Sequence, residues 1–244
     1  MRQEDLNREW LELAPKWIAE MRYGRNAHRK GLLDSYMLAG CGDVNGLSVL
    51  DSGCGEGRFS RILASAGATK VVGVDLCETM IEAARELEHE AVQYICGDVQ
   101  NLDFLTGDFD LAVSYLNQSD VPDFEANTKE LFRLLKPQGK FVVSIVHPLR
   151  SSLGTWHYDE GGNRQHMMVD KYFCERSRPR TMFDLPLTNF HRTLSTYAQT
   201  YIKAGFIISN LEEPRVSVDS LKSYPELEDE RRVPNFILFE LTKP

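Results

Sequence analysis

The chain of 244 residues is 42% hydrophobic and 26% charged, the composition of a globular protein of one domain, long enough to bury a full core. A formal net charge of −8 argues against a nucleic-acid partner, because gripping a phosphate backbone needs a basic stripe. The first residues, MRQEDLNREW, lack the basic start and apolar core of a signal peptide, and runs such as FVVSIV from Phe141 are too short to cross a bilayer, so a cytoplasmic protein with no membrane partner is expected.

The first forty residues carry a helical rhythm, with Leu6, Trp10, Leu13, Trp17 and Met21 recurring at threes and fours. Pro15 interrupts them, which predicts two helices or one kinked helix, followed by a helical segment at Lys30 to Leu38 that ends at Gly40-Cys41-Gly42-Asp43. From Leu47 onward short β-branched runs alternate with amphipathic segments, the signature of β-α-β units. Strands are predicted at Ser48 to Asp51, Lys70 to Asp75, Val92 to Cys96, Phe109 to Ser114 and Lys140 to Val146. Helices fall between them at Arg58 to Ala66, Glu78 to Glu88 and Phe124 to Leu135. Lys136-Pro137-Gln138-Gly139 then turns the chain into the next strand. His147 to Arg192 shows no clear periodicity. A helix at Thr193 to Ala204 and strands at Phe206 to Leu211 and Asn235 to Leu241 close the chain.

These elements predict one domain over residues 1–244. Residues 1–45 would form a helical cap, 46–146 a cofactor-binding core, 147–192 a lid inserted after the fifth strand, and 193–244 a closing helix and strands. The fold class is α/β, a doubly wound, mostly parallel seven-stranded Rossmann-like sheet with the last strand antiparallel. Cys41, Cys54, Cys77, Cys96 and Cys174 form an odd set with no C-x-x-C pair, so neither disulfides nor a zinc site is expected.

The segment VLDSGCGEGRFS, Val49 to Ser60, puts Gly53, Gly55 and Gly57 where the first strand gives way to the first helix. Glycine there permits a sharp turn and close approach of a ligand to the main chain. A dinucleotide fingerprint would place another glycine at position 58, and Arg58 stands there instead, which weakens a nicotinamide cofactor. Asp51 is placed to organise the loop amides and to receive a ligand ammonium group, which suits an amino-acid-bearing cofactor better than a pyrophosphate. Asp75 ends the second strand, where an acidic side chain can accept both hydroxyls of a ribose, and Asp98 follows the third, placed to accept from an adenine amino group.

In VLDSGCGEG, VVGVD, CGDVQNLDF and FDLAVSYLNQS, followed by LFRLLKPQGKFVVSIVHP, the chain resembles the class I S-adenosylmethionine-dependent methyltransferases, over roughly Leu47 to Pro148. A weaker similarity to bacterial small-molecule methyltransferases extends through FHRTLSTYAQTYIKAGF. The resemblance implies S-adenosylmethionine as cofactor and S-adenosylhomocysteine as product. It also implies that Asp51, Gly53, Gly55 and Gly57 line the methionine end, Asp75 the ribose, and Asp98 with Val99 the adenine. Leu76 and Met80 would flank the adenosine, and Cys54 would contribute its backbone. Ser52 departs from the apolar or other small residue that many relatives carry.

In-line methyl transfer gains much of its rate from positioning, up to about 7 to 11 kcal/mol, and a base adds roughly 10²- to 10⁴-fold where a hydroxyl or ammonium must lose its proton. His147, directly after the fifth strand, is the first candidate base, His191 the second and His157 the third. The fourth strand ends at Ser114-Tyr115-Leu116-Asn117, facing the expected methyl, which makes Tyr115 a further catalytic candidate and Asn117 an acceptor contact; the segment is not the N-P-P-Y motif of related enzymes that methylate nucleic-acid bases, which argues against that role. Between His147 and Arg192 seven basic residues face five acidic ones, with aromatic residues interleaved, which reads as a lid over an aromatic or anionic acceptor. Trp156 and His157 in that lid, and Tyr23 with Trp17 and Arg22 in the N-terminal helices, are its candidate contacts, and the spacing of the histidines does not suggest a metal. A nicotinamide-dependent oxidoreductase and a protein that binds the same cofactor without transferring methyl remain the alternatives.

Overall fold

The computed structural model describes residues 3–244. It begins with α1 (Gln3–Tyr23), a π-helical turn at Arg29–Leu33 and α2 (Asp34–Cys41). There follow β1 (Ser48–Ser52), α3 (Arg58–Ser65), β2 (Lys70–Asp75), α4 (Glu78–Glu86), β3 (Val92–Cys96), β4 (Phe109–Tyr115), α5 (Phe124–Leu134) and β5 (Leu135–Val146). A short α6 (Pro148–Ser151) leads into two hairpins, β6 (Thr155–Tyr158) with β7 (Arg164–Met168), and β8 (Arg176–Met182) with β9 (Leu185–His191). The chain closes with α7 (Leu194–Ala204), β10 (Ile207–Glu212), α8 (Val218–Ser223), a 3₁₀ turn at Pro225–Arg231 and β11 (Phe236–Thr242).

The main sheet has seven strands in the order β10-β11-β5-β4-β1-β2-β3. β1 lies parallel between β2 and β4, and β11, the last strand of the chain, pairs antiparallel with both β5 and β10. Strand order therefore reverses beside β1, and ligands of open α/β sheets bind in the crevice at that switch point. Successive residues of a strand point to opposite faces. Leu50, Val72 and Phe141 accordingly join the core cluster that holds Leu131 and Tyr201 of α5 and α7, while Val49, Val71 and Val142 join the one that holds Met37 and Leu63 of α2 and α3.

Pro15 lies inside one helix, α1, rather than between two; it forfeits one main-chain hydrogen bond, to Leu11, whose side chain is on the exposed face where water can serve the carbonyl. Two expectations need correction. The turn expected at 136–139 is an irregular stretch within β5, where Gln138 adopts φ +64° and the four residues 136–139 stand opposite the single residue Asp110 of β4. The stretch after Val146 is ordered into antiparallel hairpins rather than irregular, because its strands alternate polar residues on both faces and so carry no hydrophobic period.

The hairpins are tied to the rest of the chain by polar contacts. Trp156 lies under three guanidinium groups, those of Arg150, Arg164 and Arg232, at 5.6, 5.8 and 4.9 Å from its rings. Arg232 donates to the carbonyls of Arg164 and Gln165, and Arg164 pairs with Asp229, fastening β7 to the 3₁₀ turn. The second hairpin is fastened to α1, since Glu9 accepts the Thr188 amide at 2.7 Å and the Thr188 hydroxyl at 3.1 Å. No helix among the described residues is long and apolar enough to cross a membrane.

Candidate active site

A cavity of about 710 Å³ opens at the carboxyl ends of β1, β2 and β4, roofed by α1 and by the tip of the β8–β9 hairpin. Its floor is the loop after β1. Gly53, Gly55 and Gly57 adopt φ of +78°, +56° and +80°, a left-handed backbone that other residues resist. Space is equally restrictive: a Cβ on Gly53 would lie 2.1 Å from the Asn117 side chain, and one on Gly57 2.4 Å from the Tyr94 hydroxyl.

Three carboxylates surround this loop. Asp51 Oδ2 accepts the Ser60 hydroxyl at 2.6 Å, whereas Oδ1 is buried and has no partner among the described residues. Burial raises the Asp51 carboxyl to about 7, against the opposing hydrogen bond from Ser60. Asp75 accepts the amides of Gly55 and Cys77 at 2.8 and 3.0 Å, and burial raises it as well. Asp98 accepts the Gln100 amide at 2.9 Å and lines the same cavity with Val99. Leu76 and Met80 line it too, Met80 beneath the edge-to-face pair Trp10 and Trp17 of α1. Cys54 turns its sulfur toward Gly73, and burial pushes its thiol well above the ordinary range, so it remains a neutral packing group.

All ten residues expected at a cofactor, namely Asp51, Gly53, Cys54, Gly55, Gly57, Asp75, Leu76, Met80, Asp98 and Val99, surround this end; nine of them line the cavity, and Gly57 turns the loop behind it. Ser52, the departure from the family pattern, accepts from Asn127 at 3.1 Å, and Asn127 in turn accepts from Gln118 at 2.9 Å. The Tyr201 hydroxyl completes this buried network by donating to Gln118 at 2.6 Å. The hydroxyl at position 52 thus anchors the floor to α5 and α7.

The acceptor candidates divide. Tyr115 and Asn117 line the cavity. The Tyr115 hydroxyl donates to Asp34 at 2.9 Å, and Asp34 also pairs with Arg58, so the tyrosine is a member of a structural network. Burial and the Asp34 charge push its ionisation well above the usual range. His147 and His191 do not line the cavity. His147 accepts the Leu149 amide on Nδ1 and meets Glu213 through Nε2 at 3.0 Å, while His191 uses Nδ1 on Ser151 and Nε2 on the Tyr172 carbonyl, both at 2.8 Å. Burial holds the His147 imidazole below its usual range, outweighing Glu213. His157 stacks on His166 on the exposed first hairpin, Trp156 is held in its cage of arginines, and Tyr23 is 84% exposed; none of the three lines the cavity.

Several cavity residues escaped sequence reading. Arg29 sits in the π-helical turn with its guanidinium over Trp17 and Tyr115, 4.9 and 5.1 Å from their rings, and has no carboxylate partner among the described residues. Helical turns of this kind are frequent at functional sites. His28 lines the wall and lies 3.3 Å from the buried Glu230. Arg180 comes from β8 and Asp120 from the loop after β4. A polar residue in a segment of no regular period carries no signal of which way it faces, so only folding assembles this group.

A family described as methyltransferase domain matches residues 50–143. An S-adenosylmethionine dependent methyltransferase of Mesorhizobium loti is 30% identical and superposes with a TM-score of 0.75, over 89% of this chain and 98% of that one. A protein of Listeria monocytogenes assigned to the same activity is 34% identical with a TM-score of 0.76, over 86% and 94% of the two chains. Demethylmenaquinone methyltransferase of Lactococcus lactis is 38% identical over 114 residues, and this match spans 44% of the chain and 45% of that enzyme, less than half its length. With Arg58 occupied by Asp34 where a dinucleotide site needs glycine, and with two relatives matched over nearly their whole length, the chain belongs to the class I S-adenosylmethionine-dependent methyltransferases.

Proposed function

We propose that this methyltransferase acts on a hydroxyl or amine of a small molecule held in the roofed cavity beside the cofactor. The residues at the donor end fit S-adenosylmethionine. The unpartnered Asp51 Oδ1 suits the ammonium of its amino-acid part, Arg29 the carboxylate, Asp75 the ribose hydroxyls, and Asp98 with Val99 the adenine. When bound, the cofactor supplies an electrophilic methyl group on a sulfonium. The chain's own part is to orient, to exclude water and to hold the acceptor in line, and positioning alone lowers such barriers by up to about 7 to 11 kcal/mol.

The observation that carries the small-molecule reading is the closure of the cavity. α1 lies over the glycine loop, with the Trp17 indole nitrogen 3.8 Å from where a Gly55 Cβ would be, and the Lys16 ammonium donates to the Phe183 carbonyl at the hairpin tip at 2.8 Å. A volume near 710 Å³ suits a cofactor with a compact acceptor. His147 and His191 have no role in this reading, since each spends both ring nitrogens elsewhere. The test is incubation with S-adenosylmethionine labelled in its methyl group and fractionated small metabolites. A labelled small molecule whose methyl sits on oxygen or nitrogen is expected. Label transferred only to macromolecules, or tight S-adenosylhomocysteine binding with no transfer to any fraction, would overturn the reading.

A further inference from the structure

The loop that joins β4 to α5 is held more tightly than its lack of regular structure requires. Leu116 begins it at φ +60°, a costly conformation for a γ-branched residue, with its amide donating to the Ser144 carbonyl at 3.0 Å. Gln118 is locked into the Asn127 and Tyr201 network behind the loop. In front, the Phe190 amide donates to the Ser119 carbonyl at 2.7 Å. The buried Arg192 guanidinium donates to the carbonyls of Gln118, Val121 and Pro122 at 3.1, 2.6 and 2.8 Å while stacking on Phe124 and Phe190.

The clamp sets two cavity-lining residues, Asn117 and Asp120, side by side. Each keeps one side-chain oxygen, Oδ1, buried with no hydrogen-bond partner among the described residues. The Asp120 amide donates to the Asn117 carbonyl at 2.7 Å, so the two are fixed relative to each other. Asn117 in turn packs against Gly53 of the donor loop. Arg29, Arg180 and Arg192 attract Asp120 from the π-helical turn, β8 and the end of β9, yet none forms an ion pair with it. Buried acceptors are expensive to leave unsatisfied, and a ligand that brings a donor to this pair relieves that cost.

We propose that Asp120 is the proton acceptor of the transfer, taking the proton from an O–H or N–H nucleophile that donates to Asp120 and Asn117. This deepens, and rests on, the proposed transfer to a small-molecule hydroxyl or amine. As the acceptor lone pair bonds to the methyl carbon, the electron pair of the broken carbon–sulfur bond stays on sulfur. The proton passes to the carboxylate, which later returns it to water. The carboxyl suits the task, because burial raises it to about 7 against the pull of Arg180, Arg29 and Arg192, with Asp75 and Tyr197 as the other ionisable groups that sense it.

Sinefungin, the cofactor analogue whose amine replaces the methylsulfonium, places a donor where the methyl group would be and tests the assignment without an acceptor. Its dissociation constant is measured beside that of S-adenosylhomocysteine in the wild type, Asp120→Asn and Asp120→Ser. The expected result is a preference for sinefungin in the wild type that drops by about tenfold in both variants, with S-adenosylhomocysteine affinity retained as the sign of an intact fold. In the wild type that preference should rise between pH 6 and 8 (roughly one unit either side of the carboxyl's about 7), and it should be flat in Asp120→Asn. Asp51 meets the amino-acid ammonium common to both ligands and cancels in the ratio. An unchanged preference in both variants, or equal loss of both ligands, would overturn Asp120 alone. A wild type that binds neither ligand would overturn the donor-site reading and this assignment with it.

Discussion

Asp51 and Ser60 share one short hydrogen bond of 2.6 Å, and it satisfies only one of the two carboxylate oxygens that end β1. The other is buried with no partner among the described residues, and burial raises the group to about 7. A carboxyl whose folded value lies above its unfolded one stabilises the fold at low pH and loses that contribution as pH rises through the folded value. The ligand-free protein should therefore lose thermal stability between about pH 4 and 7. S-adenosylhomocysteine brings an ammonium that prefers the carboxylate, so its stabilising effect should be larger at pH 8 than at pH 5. Thermal denaturation at both pH values, with and without ligand, checks this, and Asp51→Asn should remove most of the difference.

Gly53→Ala should be more damaging than its one methyl suggests. The position combines φ +78° with a Cβ only 2.1 Å from the Asn117 side chain. We expect a loss of about 1–3 kcal/mol from the backbone alone and displacement of Asn117. Cofactor affinity, measured by calorimetry, should fall by at least about tenfold, whereas Gly162→Ala, at φ +78° on an exposed turn with open space around it, should leave affinity unchanged.

His147→Ala separates a structural histidine from a catalytic one. Its ring accepts the Leu149 amide and meets Glu213, outside the cavity. The variant should unfold at lower temperature, by an amount corresponding to about 1–3 kcal/mol, with the pH dependence of methyl transfer unshifted. A shifted pH profile at unchanged stability would count against the structural role.

Glu9→Gln tests whether the two parts of the roof move together. Glu9 accepts both the amide and the hydroxyl of Thr188, fastening α1 to β9 beside the cavity. Losing the charge at these bonds should cost about 1–2 kcal/mol of closure and raise the dissociation rate of S-adenosylhomocysteine by about tenfold. Stopped-flow release and hydrogen exchange in residues 3–23 would report it; an unchanged release rate would show that the roof halves open independently.

Sequence alone determined the sheet and the residues gathered at the glycine-loop end of the cavity. Short β-branched runs and period-3.6 patterns located the seven strands of the main sheet and the helices between them to within a few residues, except where β5 extends back to Leu135, because a strand buried on both faces shows itself as a local apolar run. The glycines and Asp51, Asp75 and Asp98 were legible for a related reason. A loop that needs positive φ and carboxylates at strand ends leaves a mark at fixed spacing. Tertiary structure decided the rest. The hairpins between Val146 and Arg192 have polar strands without a period, so neither their pairing nor their docking through Trp156 and Thr188 could be read locally. Which histidine is spent on backbone and carboxylate, and which carboxylate is left without a donor, depends on groups tens of residues away. His147 finds Glu213 from 66 positions off, and Asp120 is left facing the cavity because Arg192 holds its loop by the carbonyls and leaves its side chain free.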